Sequence, residues 1–293
     1  MNAPHTVDRD ITLLIPTLGR EILRSTLESV AAGETWPAQI LIVDQGRKES
    51  IAALAQELQA RGLEALHLPS EHTGKSLALN MGIARVKTRF VAITDDDCEV
   101  APDWIARIGE RLRRHGTAIV TGRVDAGEGD TEFSVVTSRV EEIQRRPALR
   151  FDRLSGGNMA MSLEVARQVG PFSEDPVMRH AEDTEFAYRA LRAHVPIVYA
   201  PEVAVRHMGW RDEGQREDRY RNYARSHSAF FGRYLRQGDG FMVLRTTVHV
   251  LRSLRRWLVG SVRRDAEAAR NGRAYLSELL PGLCAGWRRA GRP

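Results

Sequence analysis

Cysteine is almost missing from this chain, which has only Cys98 and Cys284. Two thiols so far apart offer neither a disulfide framework nor zinc-ligand spacing, and both read as reduced structural residues. Long apolar runs are missing too: none reaches the roughly 20 residues needed to span a bilayer. Met1 to Asp10 is polar and lacks the apolar segment of a secretory signal, so the active domain is expected in the cytosol. There is no internal repeat and no low-complexity segment. What remains is a chain of 293 residues, 42% hydrophobic and 28% charged, with a net charge of +5. That is enough to bury the core of one large domain, or of one domain with an appendage. The positive excess lies mainly in the last third, at Arg252, Arg255, Arg256, Arg263, Arg264, Arg288 and Arg289. Its placement there gives no reason to expect a nucleic-acid partner for the rest of the chain.

Strand and helix signals alternate through the first hundred residues. Ile11–Ile15 reads as a buried strand stopped at Pro16, which cannot continue a ladder. Glu21–Ala32 has helical spacing and ends at Gly33. Ile40–Val43 is a second buried strand closing on Asp44, and Ile51–Gln59 a second helix. Leu66–Leu68 is a short strand, Leu77–Val86 a third helix, and Phe90–Ile93 a strand running into Asp95. Continuous apolar strands alternating with helices predict an α/β fold, its sheet covered on both faces. Ligands of such sheets bind at the carboxyl ends of the strands. Three strand ends carry chemically useful residues: Pro16-Thr17, Asp44-Gln45 and Asp95–Asp97. Further on, Ala118–Val124 and Ile197–Tyr199 read as strands, the latter followed by a turn at Pro201. Glu182–Arg192 reads as a helix with acid in its first turn, which suits the helix dipole.

Three adjacent carboxylates repel one another and are costly to bury bare. Asp95, Asp96 and Asp97 therefore read as a cradle for a hard divalent cation, Mg²⁺ or Mn²⁺, and a diphosphate. The bland alternative is a solvated acidic turn. Gly74-Lys75-Ser76 invites comparison with a phosphate-binding P-loop. That motif needs a glycine where this chain has Pro69, so the nucleoside-triphosphatase reading is rejected. Lys75 still opens a helix leading to Asn80 and could neutralise phosphates, or sit in solvent. Glu182 and Asp183 diverge by about 100° on a helix, so one can face a cleft while the other pairs locally. A carboxylate in that position could take a proton from an acceptor hydroxyl. His207 joins Asp97 in a metal site only if the fold brings the two together. Trp210 could stack on a sugar or base, or be plain buried surface.

Taken together and in this order, these residues resemble the family 2 glycosyltransferases over roughly Thr12 to Trp210. The motifs are Ile15-Pro16-Thr17-Leu18-Gly19-Arg20, Ile42-Val43-Asp44-Gln45-Gly46, Gly74 to Gly82, Phe90 to Asp97, Gly156-Gly157-Asn158, and Glu182-Asp183 with Arg189. The resemblance implies a GT-A (Rossmann-like) fold with a mixed, mostly parallel sheet flanked by helices. It implies nucleotide-sugar contacts from Pro16, Thr17, Arg20, Asp44, Lys75, Asn80, Asp95 and Asp96. It also implies a divalent cation on Asp97, with Asp95 and His207. Gly157, Asn158, Glu182 and Trp210 would lie toward the acceptor or donor sugar, and Asp183 would be the catalytic base. The implied reaction is an inverting, single-step transfer from a nucleotide-diphosphate sugar, a UDP-sugar by default, to a hydroxyl of a glycan or lipid-linked acceptor. Cell-surface polysaccharide or glycoconjugate synthesis would be the setting. Two departures stand out. Gln45 replaces a commoner Asp or Asn and loosens the expectation for the nucleotide base. Thr94 replaces a commoner leucine. A Gln-x-x-Arg-Trp motif and transmembrane helices, usual in processive members, are not found, which favours single addition.

The expected domains are a catalytic domain over residues 8–215 and a basic amphipathic helical extension over 216–293. In the extension Tyr220, Tyr223, Ala224, His227, Phe231, Tyr234 and Leu235 share one helical face. Leu244, Val248, Leu251, Leu254 and Leu258 form a second stripe flanked by arginines. With Trp257 and Trp287, that stripe fits an anionic membrane surface on the inner face of the plasma membrane. It fits equally a packing or homo-oligomer interface. Two other functions remain at this point. One is a sugar nucleotidyltransferase, against which Pro16–Arg20 has only one glycine. The other is a non-catalytic nucleotide-sugar-binding module, which would need no Glu182-Asp183.

Overall fold

A computed structural model describes residues 5–127, 135–208 and 216–290. Two compact units emerge. One comprises residues 1–146, 153–172 and 186–210; the other comprises 147–152, 173–185 and 211–293. The segments 147–152 and 173–185 thus group with the C-terminal helices and not with the sheet that precedes them in sequence.

The first unit is built on a nine-stranded sheet. Its elements are β1 (Thr6–Thr17), α1 (Leu23–Ala31), β2 (Thr35–Asp44), α2 (Glu49–Ala60), β3 (Ala65–Pro69), α3 (Lys75–Ile83) and β4 (Phe90–Thr94). Then come β5 (Cys98–Val100), α4 (Trp104–His115), β6 (Ile119–Ala126), β7 (Glu142–Gln144), β8 (Asn158–Ser162), α5 (Leu163–Val169) and β9 (Ile197–His207). The strand order is β3-β2-β1-β4-β8-β6-β9-β5, with β7 also paired to β9. β3, β2, β1 and β4 run parallel, and β8 enters antiparallel beside β4. Period-two side-chain alternation gives the sheet two apolar faces. Leu13 and Ile15 turn toward α1, α2 and α4, where Leu27, Leu58, Trp104 and Ile108 bury. Leu14, Val91 and Ile93 turn toward Leu79, Val165 and Phe186. Each such side chain contributes about 1.5–3 kcal/mol.

Two proline expectations need correction. β1 continues through Pro16, which stands opposite Val43. Pairing with β4 ends at Leu14, so Pro16 lies where the strand is paired on one side only and a missing N–H is tolerated. β9 likewise runs through Pro201 to His207 and is no turn there, because a register irregularity between Gly122 and Val124 of β6 absorbs the residues around it. β5 and α4 carry no expectation above. α4 buries Trp104, Ile105, Ile108 and Leu112 at helical spacing.

The helix α6 (Glu182–Arg192) begins in the second unit and continues in the first. In the first, Arg189 donates to the carbonyls of Val169 and Pro171 at 2.6 and 2.7 Å. These bonds close the chain end of α5.

The second unit holds α7 (Arg216–Arg236), α8 (Gly240–Arg263) and α9 (Ala266–Arg289). α7 and α9 approach closely: a Cβ on Gly286 would fall 1.8 Å from the Ala229 carbonyl oxygen, so only glycine fits. The stripe expected on α7 includes buried Ala224 and Phe231. Glu185 accepts from the Tyr234 hydroxyl at 2.7 Å. Arg245 of α8 and Asp152 form a fully buried ion pair at 2.9 Å. His249 bonds through Nε2 to the Arg150 carbonyl at 2.8 Å. Burial lowers the His249 imidazole to about 4, outweighing the pull of that carbonyl, with His227 and nearby arginines adding to the drop. The unfolded chain therefore binds a proton in the window between about 6.5 and 4 that the folded chain refuses. Stability is expected to fall as pH drops through that window, by about 3 kcal/mol from this group. Urea-denaturation midpoints between those pH values measure it. His249→Gln, which keeps a donor for the carbonyl, should give a shallower slope; an unchanged slope would remove His249 as the source.

Candidate active site

The end of β4 is the centre of the first unit's polar residues. Thr94 is buried, and its hydroxyl donates to the Gly157 carbonyl at 2.9 Å. This pins the acidic run against the turn before β8. A Cβ on Gly157 would lie 2.9 Å from Asp95 Oδ2, so glycine there lets the carboxylate sit down on the turn.

The three carboxylates have different surroundings. Asp95 is partly exposed and accepts from Lys75 Nζ at 2.8 Å. Burial pushes the Asp95 carboxyl up, but Lys75, His207 and Arg20 outweigh it and hold it below its usual range. Asp96 is fully buried and accepts from the Thr17 hydroxyl at 2.6 Å and from Arg20 Nε at 3.1 Å. Burial raises the Asp96 carboxyl, against the pull of Arg20 and Thr17 and with a further push from Asp97. Asp97, 5% exposed, accepts from Arg20 at 3.3 Å and lies 3.6 Å from His207 Nε2 through its other oxygen. Cys98 stands next to it; burial and the two flanking aspartates push its thiol well up, so it stays protonated.

His207 reaches Asp97 because β5 and β9 pair antiparallel, with Cys98 opposite His207. The Met208 amide donates to the Asp97 carbonyl at 2.7 Å and closes the same corner. The three-residue strand Cys98–Val100 was too short to signal this. Among the described residues no group of three His, Cys, Asp or Glu side chains forms a metal cage. Of the expected set, Asp97 and His207 face one another, while Asp95 pairs with Lys75. A carboxylate and an imidazole 3.6 Å apart suit adjacent positions on a Mn²⁺ or Mg²⁺ ion, whose octahedral shell spaces neighbouring ligands by about 3 Å. Such ions take one or two protein ligands and complete their shell with phosphate and water. The pair fits on those terms.

Several residues expected to touch the donor or the acceptor are engaged elsewhere. Asp44 is fully buried. It accepts from the amides of Gly46, Arg47 and Lys48 at 2.8, 3.1 and 2.8 Å, and lies 3.1 Å from His67 Nε2. It organises the loop after β2. Gln45 ties that loop to the start of α3 by accepting from the Gly74 amide at 2.6 Å. Thr17 is buried on Asp96, and Pro16 lies within β1. Arg20 is the counter-ion of Asp96 and Asp97, with its head about a quarter exposed at 24%. Asn80 exchanges two bonds with the Phe172 backbone, at 2.9 and 2.8 Å. Asn158 is fully buried: its amide donates to Arg123 and Val203 carbonyls and accepts from the Trp104 indole at 3.0 Å. Both asparagines are therefore staples of the fold. A lone Asn in a sequence shows no difference between these roles.

At the start of α6, Glu182 is buried and Asp183 half-buried. Asp183 Oδ1 accepts from the Thr184 amide at 2.7 Å. Trp210 lies outside the described residues.

A sequence profile described as "Glycosyl transferase family 2" matches residues 12–169. Among curated proteins, the chondroitin synthase of Escherichia coli is 27% identical over 222 residues, covering 62% of this chain and 32% of that protein. The succinoglycan biosynthesis protein ExoM of Rhizobium meliloti (strain 1021) is 31% identical over 125 residues, covering 41% of this chain and 40% of that protein. The chain thus spans less than half the length of either relative. Among solved structures, the mannosyltransferase PcManGT from Pyrobaculum calidifontis, in complex with GDP-Man and Mn²⁺, superposes with a TM-score of 0.62 at 16% identity. That alignment covers 98% of this chain and 89% of the other.

Proposed function

The chain belongs to the family 2 glycosyltransferases, with their GT-A fold, and from that premise we propose that it transfers a sugar from a nucleotide-diphosphate donor to an acceptor hydroxyl with inversion. Its relatives include enzymes of polysaccharide synthesis, and we assign the acceptor to that chemistry: a glycan or a lipid-linked saccharide. The observation that carries the reading is the end of β4, where Lys75 stands on Asp95 and His207 on Asp97. A nucleotidyltransferase or a non-catalytic binder is not required by anything at this site.

The proposed roles follow from the chemistry of each group. Asp183 takes the proton of the acceptor hydroxyl as the oxygen attacks the anomeric carbon. The bond from that carbon to the diphosphate breaks, and its electron pair leaves with the diphosphate oxygen. Lys75, a compact cation at the head of α3, offsets the charge that develops there. Asp97 and His207 would hold a divalent cation, which when bound supplies the Lewis-acid charge that stabilises the departing diphosphate. Arg20, half-buried against Asp96 and Asp97, keeps the acidic run in one arrangement. No covalent enzyme intermediate is involved.

A thermal-shift panel of UDP- and GDP-sugars with and without Mn²⁺ tests the donor class. A ligand at a hundred times its Kd adds about 2.7 kcal/mol of stability. At least one nucleotide sugar is expected to raise Tm, and to do so only with the metal. A flat response to every nucleotide sugar in the presence of metal would sink the reading.

A further inference from the structure

The helix α8 is amphipathic in an inverted sense. Its buried side is Met242, Arg245, His249, Ser253 and Gly260. Its outer side is apolar: Leu244 is 51% exposed, Leu251 59%, Leu258 53% and Val262 84%. At about 100° per residue these four fall in one strip. Arg255 and Arg252 fall along one flank of that strip, and Arg263 and Arg256 follow them at the edge of the buried side. No Asp or Glu occurs from Gly240 to Arg263.

The same four arginines, with Arg150, line an open cavity of about 300 Å³. The one acid in its wall is Asp265, whose carboxylate caps the start of α9 by accepting from the Ala268 amide at 3.0 Å. Among the described residues, none of the five arginines forms an ion pair with a carboxylate. Arg252 instead lies over the Phe151 ring, and Arg256 donates to the Tyr220 hydroxyl. Burial, and after it repulsion from Arg150 and Arg256, holds Arg252 below the usual arginine range. Five guanidiniums gathered around a single carboxylate leave an excess of positive charge, a site for an anion with several oxygens, and phosphate is the group their planar forks match.

We propose that α8 lies flat on an anionic bilayer, its Leu244–Val262 strip in the headgroup boundary and its arginine cavity around lipid phosphates. No described helix is long and apolar enough to cross a membrane, so the contact is interfacial. Arginine stems can lie along the apolar boundary while their heads reach the phosphates. A second copy of the chain is a poorer occupant. An isologous pairing through α8 would bring its arginines to a surface that has no carboxylate to meet them. The inference does not depend on the donor, the acceptor or the catalytic roles given above.

Vesicle flotation of the full chain tests it. Vesicles of phosphatidylcholine alone are compared with vesicles containing phosphatidylglycerol. The chain is expected to float only with the anionic vesicles. Arg255→Gln, Arg256→Gln and Arg263→Gln combined should weaken binding roughly a hundredfold, at about fivefold per cation near the surface. Leu251→Gln with Leu258→Gln should weaken it by at least about tenfold. All five positions are exposed, and the one bond lost is that of Arg256 to the Tyr220 hydroxyl, so the thermal midpoint should change little in either variant. Four outcomes overturn the proposal. The first is no flotation with anionic vesicles, or equal flotation with neutral ones. The second is full binding by the arginine variant. The third is release by inorganic phosphate but not by chloride at matched ionic strength, which would assign the cavity to a soluble anion. The fourth is a dimer in sedimentation that the leucine variant abolishes, which would assign the strip to a second copy.

Discussion

Asp97→Ala is expected to lower the transfer rate by about a thousandfold and to remove the metal-dependent part of donor binding. Asp97 is almost wholly buried, and its two oxygens divide between Arg20 and His207. Removing the carboxylate leaves His207 as a single imidazole ligand, too weak to hold a hard cation in water. The acidic turn itself should survive, because Asp96 keeps Thr17 and Arg20. Calorimetric titration with a nucleotide sugar, with and without Mn²⁺, separates the two effects. The variant should show one weak isotherm, the same in both conditions. His207→Ala should lie between it and the parent, since it leaves the carboxylate in place. If Asp97→Ala kept a metal-dependent isotherm, the cation would have to sit elsewhere.

Asp183→Asn is the complementary experiment. The change is nearly isosteric and keeps an oxygen for the Thr184 amide, so the start of α6 should hold its shape. It removes the one property a base needs, the capacity to take a proton. Loss of general-base catalysis typically costs 10²–10⁴ in rate, and a fall in kcat of about that size is expected with Kd for the donor unchanged. The split between kcat and donor binding is the informative readout. A variant that turned over normally would return Asp183 to the rank of an ordinary helix-start carboxylate. A variant that lost donor affinity instead would make it a binding residue.

Much of the fold could be read without coordinates because its signals are local. The strands β1, β2 and β4 are continuous apolar runs, and each helix between them has its own spacing and stop. Strand ends loaded with Thr17, Asp44 and Asp95–Asp97 point to one edge of a parallel sheet whatever the loops do. The prolines misled because a missing N–H matters only where a neighbouring strand would have used it. That depends on pairing: Pro16 lies beyond the last β1–β4 pair, and Pro201 beside an irregular stretch of β6.

The division of labour among the polar residues was not legible in the same way. Asp44, Asp95, Asp96 and Asp97 are one residue type at strand ends. Only packing turns Asp44 and Asp96 inward, onto backbone amides and Arg20, and leaves Asp95 and Asp97 to Lys75 and His207. Asn80 and Asn158 became staples because carbonyls and amides many residues away would otherwise be buried without partners. On α8, spacing announced a two-sided helix but not which side faces in. On the inner side Asp152 and the Arg150 carbonyl give Arg245 and His249 the partners that their burial requires.

By itself, then, the sequence determined the alternation of strand and helix, the acidic edge at Asp95–Asp97 and the stripe on α8. Each is a pattern that neighbouring residues impose through backbone period and side-chain type. Tertiary structure alone decided whether His207 meets Asp97, which asparagines hold the sheet together, and which face of α8 is left to solvent. Those outcomes depend on partners distant in sequence, and a buried polar group takes whichever partner the fold brings within reach.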